Sequence, residues 1–326
     1  MNEEKTKSPS EASGTESAKL NKSVRDFYNQ VGWQTIGETL YQNAMYEDLR
    51  PVSRDYLHRC HMRVKRHLAH EGKYYLDAGS GPVQYPEYLT YSEGYHARVC
   101  MDISLVALQE ARKRVAEHGF YVLGDITHLP FRSDLFDGIS SLHTIHHVPM
   151  SDKSLAYDEL YRTLKSGRSM VTVDGWTNAA LMVRLKWFLA AISRVRGWWE
   201  RIFRKAQRET DQNQEVSRKC EEQSGETSSQ PTGTFVEKFD ADGLIELLTD
   251  RMDFNILVWR SVSVAFLRAV IHPDWGGRFW LKVLFWVEER FPKLLGRIGQ
   301  YPLVVIKKSQ VEAEANASSS SKPGTE

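Results

Sequence analysis

Short apolar runs alternate with amphipathic stretches through the middle of this chain, and that alternation constrains its fold more than any other feature. Tyr74–Ala78, Ala97–Ile103, Tyr121–Gly124, Phe136–Leu142 and Met170–Val173 read as strands, and Ser104–His118 and Ser151–Lys165 carry apolar residues at helical spacing. Strands separated by helices cannot close as hairpins, so they build βαβ units and a parallel sheet. Two later runs, Phe254–Val264 with a turn near Ser261 and Tyr301–Lys307, would complete the sheet.

The boundaries follow from composition. Residues 1–23 and 309–326 are rich in Ser, Glu, Lys and Thr with almost nothing to bury, and are expected to be disordered tails. Between them, 24–308 reads as a single domain: a helical flank or lid (24–70) with dispersed aromatics, a core (71–176), an insertion (177–234) and a return to the core (235–308). The insertion is too long for a simple connection. In its first half Leu181, Leu185, Phe188, Ile192, Val195, Trp199 and Ile202 recur at helical spacing among arginines, which predicts a basic amphipathic helix over 181–204. The second half, from Gln207, is polar and predicts a loop. Phe279–Ile298 should form one helix and a shorter piece, divided at Pro292.

Charge and cysteine usage exclude several classes. Lys and Arg number 43 against 42 Asp and Glu, so no nucleic-acid partner is expected. Cys60, Cys100 and Cys220 are scattered and odd in number, which suggests neither a disulfide framework nor a thiolate metal site, and a cytoplasmic setting fits. The N-terminus lacks a secretory apolar stretch, and no run of about 20 apolar residues offers a membrane span.

The chemistry concentrates at strand ends. Leu76-Asp77-Ala78-Gly79-Ser80-Gly81 is a glycine turn directly after a strand, where positive φ and the absence of a Cβ let a ligand approach the backbone. Asp102 ends the second strand. There a carboxylate either takes both hydroxyls of an adenosine ribose or favours the start of a helix capped by Ser104. Asp125 follows the third strand, at the sheet edge where open α/β folds bind ligands, and is either an acceptor for an adenine amino group or a solvated turn aspartate.

The DAGSG turn, the acidic end of VCMDIS, the GDITHLPF segment and FDGISSLHTIHHVP, in that order, resemble class I methyltransferases dependent on S-adenosylmethionine (SAM), in particular the type 11 group that includes quinone-biosynthesis enzymes. The resemblance covers roughly Tyr74–Asp174. It implies a doubly wound, Rossmann-like α/β fold whose seven-stranded sheet has an antiparallel last strand, with SAM as cofactor. It places Asp77, Gly79 and Gly81 beside the cofactor, Asp102 and Ile103 at the ribose, Asp125 and Ile126 at the adenine, and His143 at the pocket. Phe27-Tyr28-Asn29-Gln30 resembles the aromatic segment that closes over SAM in this group, making Tyr28 a further contact. Pro82-Val83 stands where many members carry a third glycine, so the first helix must begin differently here.

His143, His146 and His147 invite a metal reading, but no acidic or thiolate partner falls at ligand spacing, and no metal is expected. A general base is the better assignment, needed only where the acceptor must lose a proton, and the sequence does not choose among the three. The tryptophans beside the basic helix suit an interfacial segment as well as a lid packed on the core. The expected reaction is therefore methyl transfer from SAM to a small or amphipathic acceptor, a lipid, quinone or lipid-linked glycan if 181–204 meets a membrane. The competing readings are a noncatalytic SAM-binding or membrane scaffold and a nicotinamide-dependent dehydrogenase. The last lacks the GxGxxG spacing, having Gln84 at the third position, and gives Asp125 no role. Oligomeric state is not encoded in any pattern found.

Overall fold

The computed structural model describes residues 9–33, 35–36, 40–41, 47–187 and 234–310. Helix α1 (Pro9–Phe27) runs into a π-helical turn (Tyr28–Gly32) and a two-stranded antiparallel pair, β1 (Thr35–Ile36) and β2 (Leu40–Tyr41), before α2 (Arg54–Lys65). The flank is thus less helical than its sequence suggests; β-branched Thr35 and Ile36 suit a strand. The main sheet contains β3 (Gly72–Ala78), β4 (Tyr95–Asp102), β5 (Gly119–Leu123), β6 (Gly138–Leu142), β7 (Ser169–Val173), β8 (Asp253–Arg260) and β9 (Tyr301–Lys307). Their order is β5-β4-β3-β6-β7-β9-β8. Neighbours are parallel except that β9 runs antiparallel to both β7 and β8.

The reversal of β9 has a local cause. Gln300 N–H donates to Ser261 O at 2.9 Å, so β9 starts at the edge where β8 has just ended and must run the other way. The central strands are inaccessible on both faces: Tyr75, Leu76, Ile139, Val171, Val173, Leu303 and Ile306 are fully buried. That accounts for their continuous apolar runs, since parallel strands have helices over both sides. The covering helices include α3 (Pro86–Leu89), α4 (Leu105–Val115), α5 (Lys153–Thr163), α6 (Ala241–Leu248), α7 (Val264–Val270), α8 (Gly277–Arg290) and α9 (Pro292–Ile298). Pro292 divides the last two as expected, because its ring cannot continue a helix.

Two expectations need adjustment. Composition predicts a disordered tail over 1–23, yet residues 9–23 lie in α1, whose C-terminal part docks on the core: Val24 is buried and Asn21 bonds Asp125. Composition could not show a helix held by contacts outside itself. The basic amphipathic helix is described only over its start. Residues 180–187 are helical, with Met182 buried and Leu181 and Leu185 packed on the core, while Trp187 is 85% exposed. Residues 188–233, with the rest of that helix and the polar loop, lie outside the described residues, as do 311–326.

A buried ionic knot joins the flank to the far edge of the sheet. Glu288 of α8 is fully buried and accepts from Tyr56 Oη (2.8 Å), Ser261 N–H (2.8 Å), Ser261 Oγ (2.6 Å) and Arg63 Nη1 (3.0 Å). Arg63 also donates to the Trp259 carbonyl (2.7 Å). A buried pair broken on one side leaves an uncompensated charge. Glu288→Ala is therefore expected to cost about 3–5 kcal/mol of stability, measured as a lowered urea midpoint at unchanged slope.

Candidate functional site

The carboxyl edge of the sheet holds a cavity of about 420 Å³. Its two ends differ in chemistry. One end is lined by Gly79, Ser80, Gly81, Asp102, Ile103, Asp125 and Ile126, under a roof of Asn21, Val24, Phe27, Tyr28 and Trp33. The other is lined by Glu47, Tyr85, His143, His146, Lys238, Arg260 and Tyr301.

The first end is built by the turn after β3. Gly79 (φ 74°) and Gly81 (φ 52°) occupy left-handed backbone, and a Cβ on Gly79 would lie 2.2 Å from the Thr144 side chain. Gly79 N–H and Ser80 N–H both donate to Met101 O (2.7 and 3.1 Å), which fastens the turn to the end of β4. Asp102 completes the fastening. Its Oδ2 accepts from Gly81 N–H and its Oδ1 from Ser104 N–H, each at 2.8 Å. Ser104 caps α4, its Oγ accepting from Ala107 N–H. The two roles read for Asp102 are thus compatible: it supports the helix start and still lines the cavity. Burial raises its carboxyl to about 6, against the lowering effect of the Ser104 and Gly81 amides.

Other predicted positions divide. Asp125 lines the cavity, with Oδ2 accepting from Asn21 Nδ2 (2.6 Å) and Oδ1 from Thr127 N–H and Oγ1 (2.9 and 2.8 Å). Tyr28 reaches the cavity too, stacked on Trp33 at 5.2 Å. Asp77 does not reach it. Its carboxylate is taken by buried Arg98 and by Ser140 Oγ, so it holds β3, β4 and β6 together beneath the turn. Val83, at the missing third glycine, has φ 53°, a left-handed conformation that a β-branched residue adopts only under constraint. Arg114 donates to the carbonyls of Val83 and Gln84 (2.8 and 2.6 Å), holding that shape, and the helix that follows is the single short turn of α3.

The three histidines all line the cavity but have distinct partners. His147 is saturated: Nδ1–H donates to Phe235 O (2.8 Å), so Nε2 accepts from Tyr28 Oη (2.7 Å). His146 Nδ1–H donates to Asp174 Oδ1 at 2.5 Å, leaving Nε2 without a partner among the described residues. His143 sits in left-handed backbone (φ 56°) with its ring edge-on to Trp259 and Tyr301. Burial lowers all three to about 3, and it raises Asp174 to about 6. Neutral imidazoles are the expected state at neutral pH. Among the described residues no group of three or more His, Cys, Asp or Glu is arranged to hold a metal, and no helix is long and apolar enough to cross a membrane.

Several residues of the site escaped the sequence reading. Asp174, which stands behind His146 rather than on the cavity wall, follows β7 directly as Asp102 ends β4, so strand-end position was a usable signal. Lys238, Arg260, Glu47 and Asn21 had none, because they meet only through the sheet order and the fold of the flank. Arg260 is buried, paired with Glu47 and laid over the Tyr301 ring (4.6 Å).

The comparisons with known proteins agree with this architecture. A family described as "Methyltransferase domain" matches residues 76–172. Among solved structures, a phosphoethanolamine N-methyltransferase 1 from Haemonchus contortus superposes with a TM-score of 0.50 at 11% identity, over 94% of this chain and 50% of that one. DhpI bound to S-adenosylhomocysteine gives 0.50 at 12% identity, over 89% and 98%. A geranyl diphosphate C-methyltransferase from Streptomyces coelicolor A3(2) gives 0.47 at 14%, over 89% and 97%. At these identities the two superpositions at 0.50 show the fold alone. No curated protein matches the sequence. The strand order with β9 reversed defines a Rossmann-like sheet of the class I methyltransferase kind. Residues 76–172 thus match a methyltransferase domain, and the cofactor expected for such a domain is SAM.

The residues present suit that cofactor. Positive-φ glycines leave room against the backbone, and a buried carboxylate and a second strand-end carboxylate face the same end of the cavity. With Asp102 at a ribose hydroxyl, as the sequence resemblance implies, its ionised form is the one that binds best. SAM affinity is therefore expected to be flat above pH 7 and to fall towards tenfold per unit as the pH drops below about 6. Asp102→Asn should weaken binding by about 10- to 150-fold, from the loss of about 1.5–3 kcal/mol, and abolish that pH dependence in calorimetric titrations.

Proposed function

We propose that this protein transfers the methyl group of SAM to a nucleophile on a small or amphipathic acceptor held at the His143–Arg260 end of the cavity. The carrying observation is the continuity of that cavity, whose glycine and carboxylate end lies in one space with a second end of different chemistry. Its volume falls within the range of small-molecule sites, about 300–1,000 Å³. The second end offers aromatic walls, Tyr85, Tyr88 and Tyr301, and two cations, Lys238 and Arg260. A lipid, quinone or lipid-linked glycan head fits such a mixture, and the aromatic walls favour a flat or unsaturated group.

We assign cofactor contacts to Gly79, Gly81, Asp102, Ile103, Asp125, Ile126 and Tyr28. When bound, SAM supplies a methyl carried on a sulfonium. The protein's part is to exclude water beneath the α1 roof, hold the acceptor and remove a proton from it where the acceptor must lose one. We assign that removal to His146. Its Nδ1–H is fixed on Asp174, which orients the ring and stabilises the imidazolium formed when Nε2 takes the proton. His147 cannot serve without giving up Tyr28 or Phe235.

Titration with SAM and S-adenosylhomocysteine, with NAD as the control, tests the reading. Binding of the adenosyl compounds alone is expected, and binding of NAD alone would replace it with a dehydrogenase. Once an acceptor is found, His146→Ala and Asp174→Asn are expected to lower kcat by about 10²- to 10⁴-fold with SAM affinity unchanged. Wild-type kcat should fall as the pH drops through about 6, because Asp174 raised to that value is then protonated and no longer stabilises the imidazolium. SAM binding without turnover on any lipid, quinone or glycan acceptor would favour the scaffold reading.

A further inference from the structure

Outside the cavity, the least explained surface of the molecule is the outward face of α8. Trp275, Phe279, Trp280 and Trp286 are 65%, 61%, 57% and 65% exposed. Single exposed apolar residues need no explanation, but four large aromatics on and beside one helix do. Phe279, Lys282, Trp286 and Arg290 recur at spacings of three and four, so they form one stripe. The opposite face carries Leu281 and Glu288, which are buried, with Leu284 and Phe285 packed on the core.

The charge on this helix is divided in the same way. Its acids point inward or sideways: Glu288 is buried on Arg63, and Glu289 is paired with Arg63 (2.9 Å) and Arg66 (2.8 Å). Asp274, before the helix, pairs with His272 (3.3 Å). The cations Arg278, Lys282, Arg290 and Lys293 are exposed around the aromatics. Phe291 and Leu294, 47% and 55% exposed, extend the apolar area onto α9.

We propose that this face of α8, with the start of α9, docks the protein flat on an anionic lipid surface. Indole rings favour headgroup depth, and lysines and arginines beside them are drawn to anionic lipid. A protein partner suits the stripe less well, because interface cores are depleted in lysine. The helix is too short and too charged to insert across a bilayer, so it lies in the interface plane. The inference is independent of the catalytic reading, since none of these residues lines the cavity.

The test is co-sedimentation of the full chain with phosphatidylcholine vesicles, with and without phosphatidylserine, alongside two double variants. One is Phe279→Ser with Trp286→Ser, which removes the apolar stripe; the other is Lys282→Glu with Arg290→Glu, which reverses its charge. Wild type is expected to bind the serine-containing vesicles at least tenfold more tightly than phosphatidylcholine alone, with a blue shift of tryptophan emission and weakening by salt. Each variant should lose at least tenfold while keeping wild-type melting temperature and circular dichroism. Absence of binding to either vesicle overturns the proposal, as does binding that both folded variants retain. A wild-type dimer in light scattering that the Phe279/Trp286 variant converts to monomer would also overturn it, assigning the face to a second copy. For a variant that melts early, quenching of wild-type tryptophan emission by lipids brominated at shallow depth gives the same decision: quenching supports docking and its absence refutes it.

Discussion

The site depends on a reversal in strand order. The chain lays β4 and β5 to one side of β3, then returns to place β6 on the other side. The turns leaving β3 and β6 therefore diverge at the carboxyl edge, and a crevice opens where the direction changes. The glycine turn and the histidine segment face each other across it, touching where Thr144 Oγ1 donates to Gly79 O at 3.3 Å. Each flanking parallel strand then delivers its last residues to the same edge, which brings in Asp102, Asp125 and Asp174. Because β9 runs backwards, it delivers its first residue, Tyr301, to the edge where the others deliver their last. The second end of the cavity is a consequence of that one antiparallel strand.

Three carboxylates along this edge, Asp77 and Asp102 buried and Asp174 partly so, are accommodated in three ways, and the differences sort their roles. Asp77 meets a guanidinium, Arg98, and becomes part of the scaffold. Asp102 meets only hydrogen-bond donors, two backbone amides, and Asp174 meets a neutral imidazole. Lacking a cation in direct contact, both feel desolvation most and are raised to about 6. They are the acids whose charge state changes near neutrality, and both open on the cavity or on a residue that does.

The parts of this architecture readable from sequence are those encoded locally. Apolar runs locate all seven strands of the main sheet, with Tyr301–Lys307 placed to the residue, because buried parallel strands have little choice of composition. Ends were less readable. The apolar pattern starts β6 at Phe136, but that residue pairs in an isolated bridge with Leu164, and the ladder starts at Gly138. Asn21 and Asp77 failed for opposite reasons. Asn21 sits in a stretch whose composition signals disorder, and its order comes from Asp125, more than a hundred residues away. Asp77 lies in the motif, yet a buried arginine on the neighbouring strand claims it, and no local pattern reveals which charge a strand-end acid will meet.

The histidine segment shows where sequence stops and geometry starts. His143, His146 and His147 share composition, neighbourhood and degree of desolvation, and the same lowered value near 3, so neither pattern nor burial ranks them. Hydrogen bonding does. A base needs one nitrogen fixed and the other open, and a saturated ring such as His147 has neither freedom nor a vacant lone pair. His143 has an open ring, and Asp174 acts on it only through space, with no hydrogen bond among the described residues fixing either nitrogen; its left-handed backbone instead wedges the ring against Trp259 and Tyr301. Only His146 combines a carboxylate behind one nitrogen with an open second nitrogen at the cavity. The carboxylate comes from β7 and the imidazole from the turn after β6, so the pairing follows from the same strand adjacency that opens the crevice.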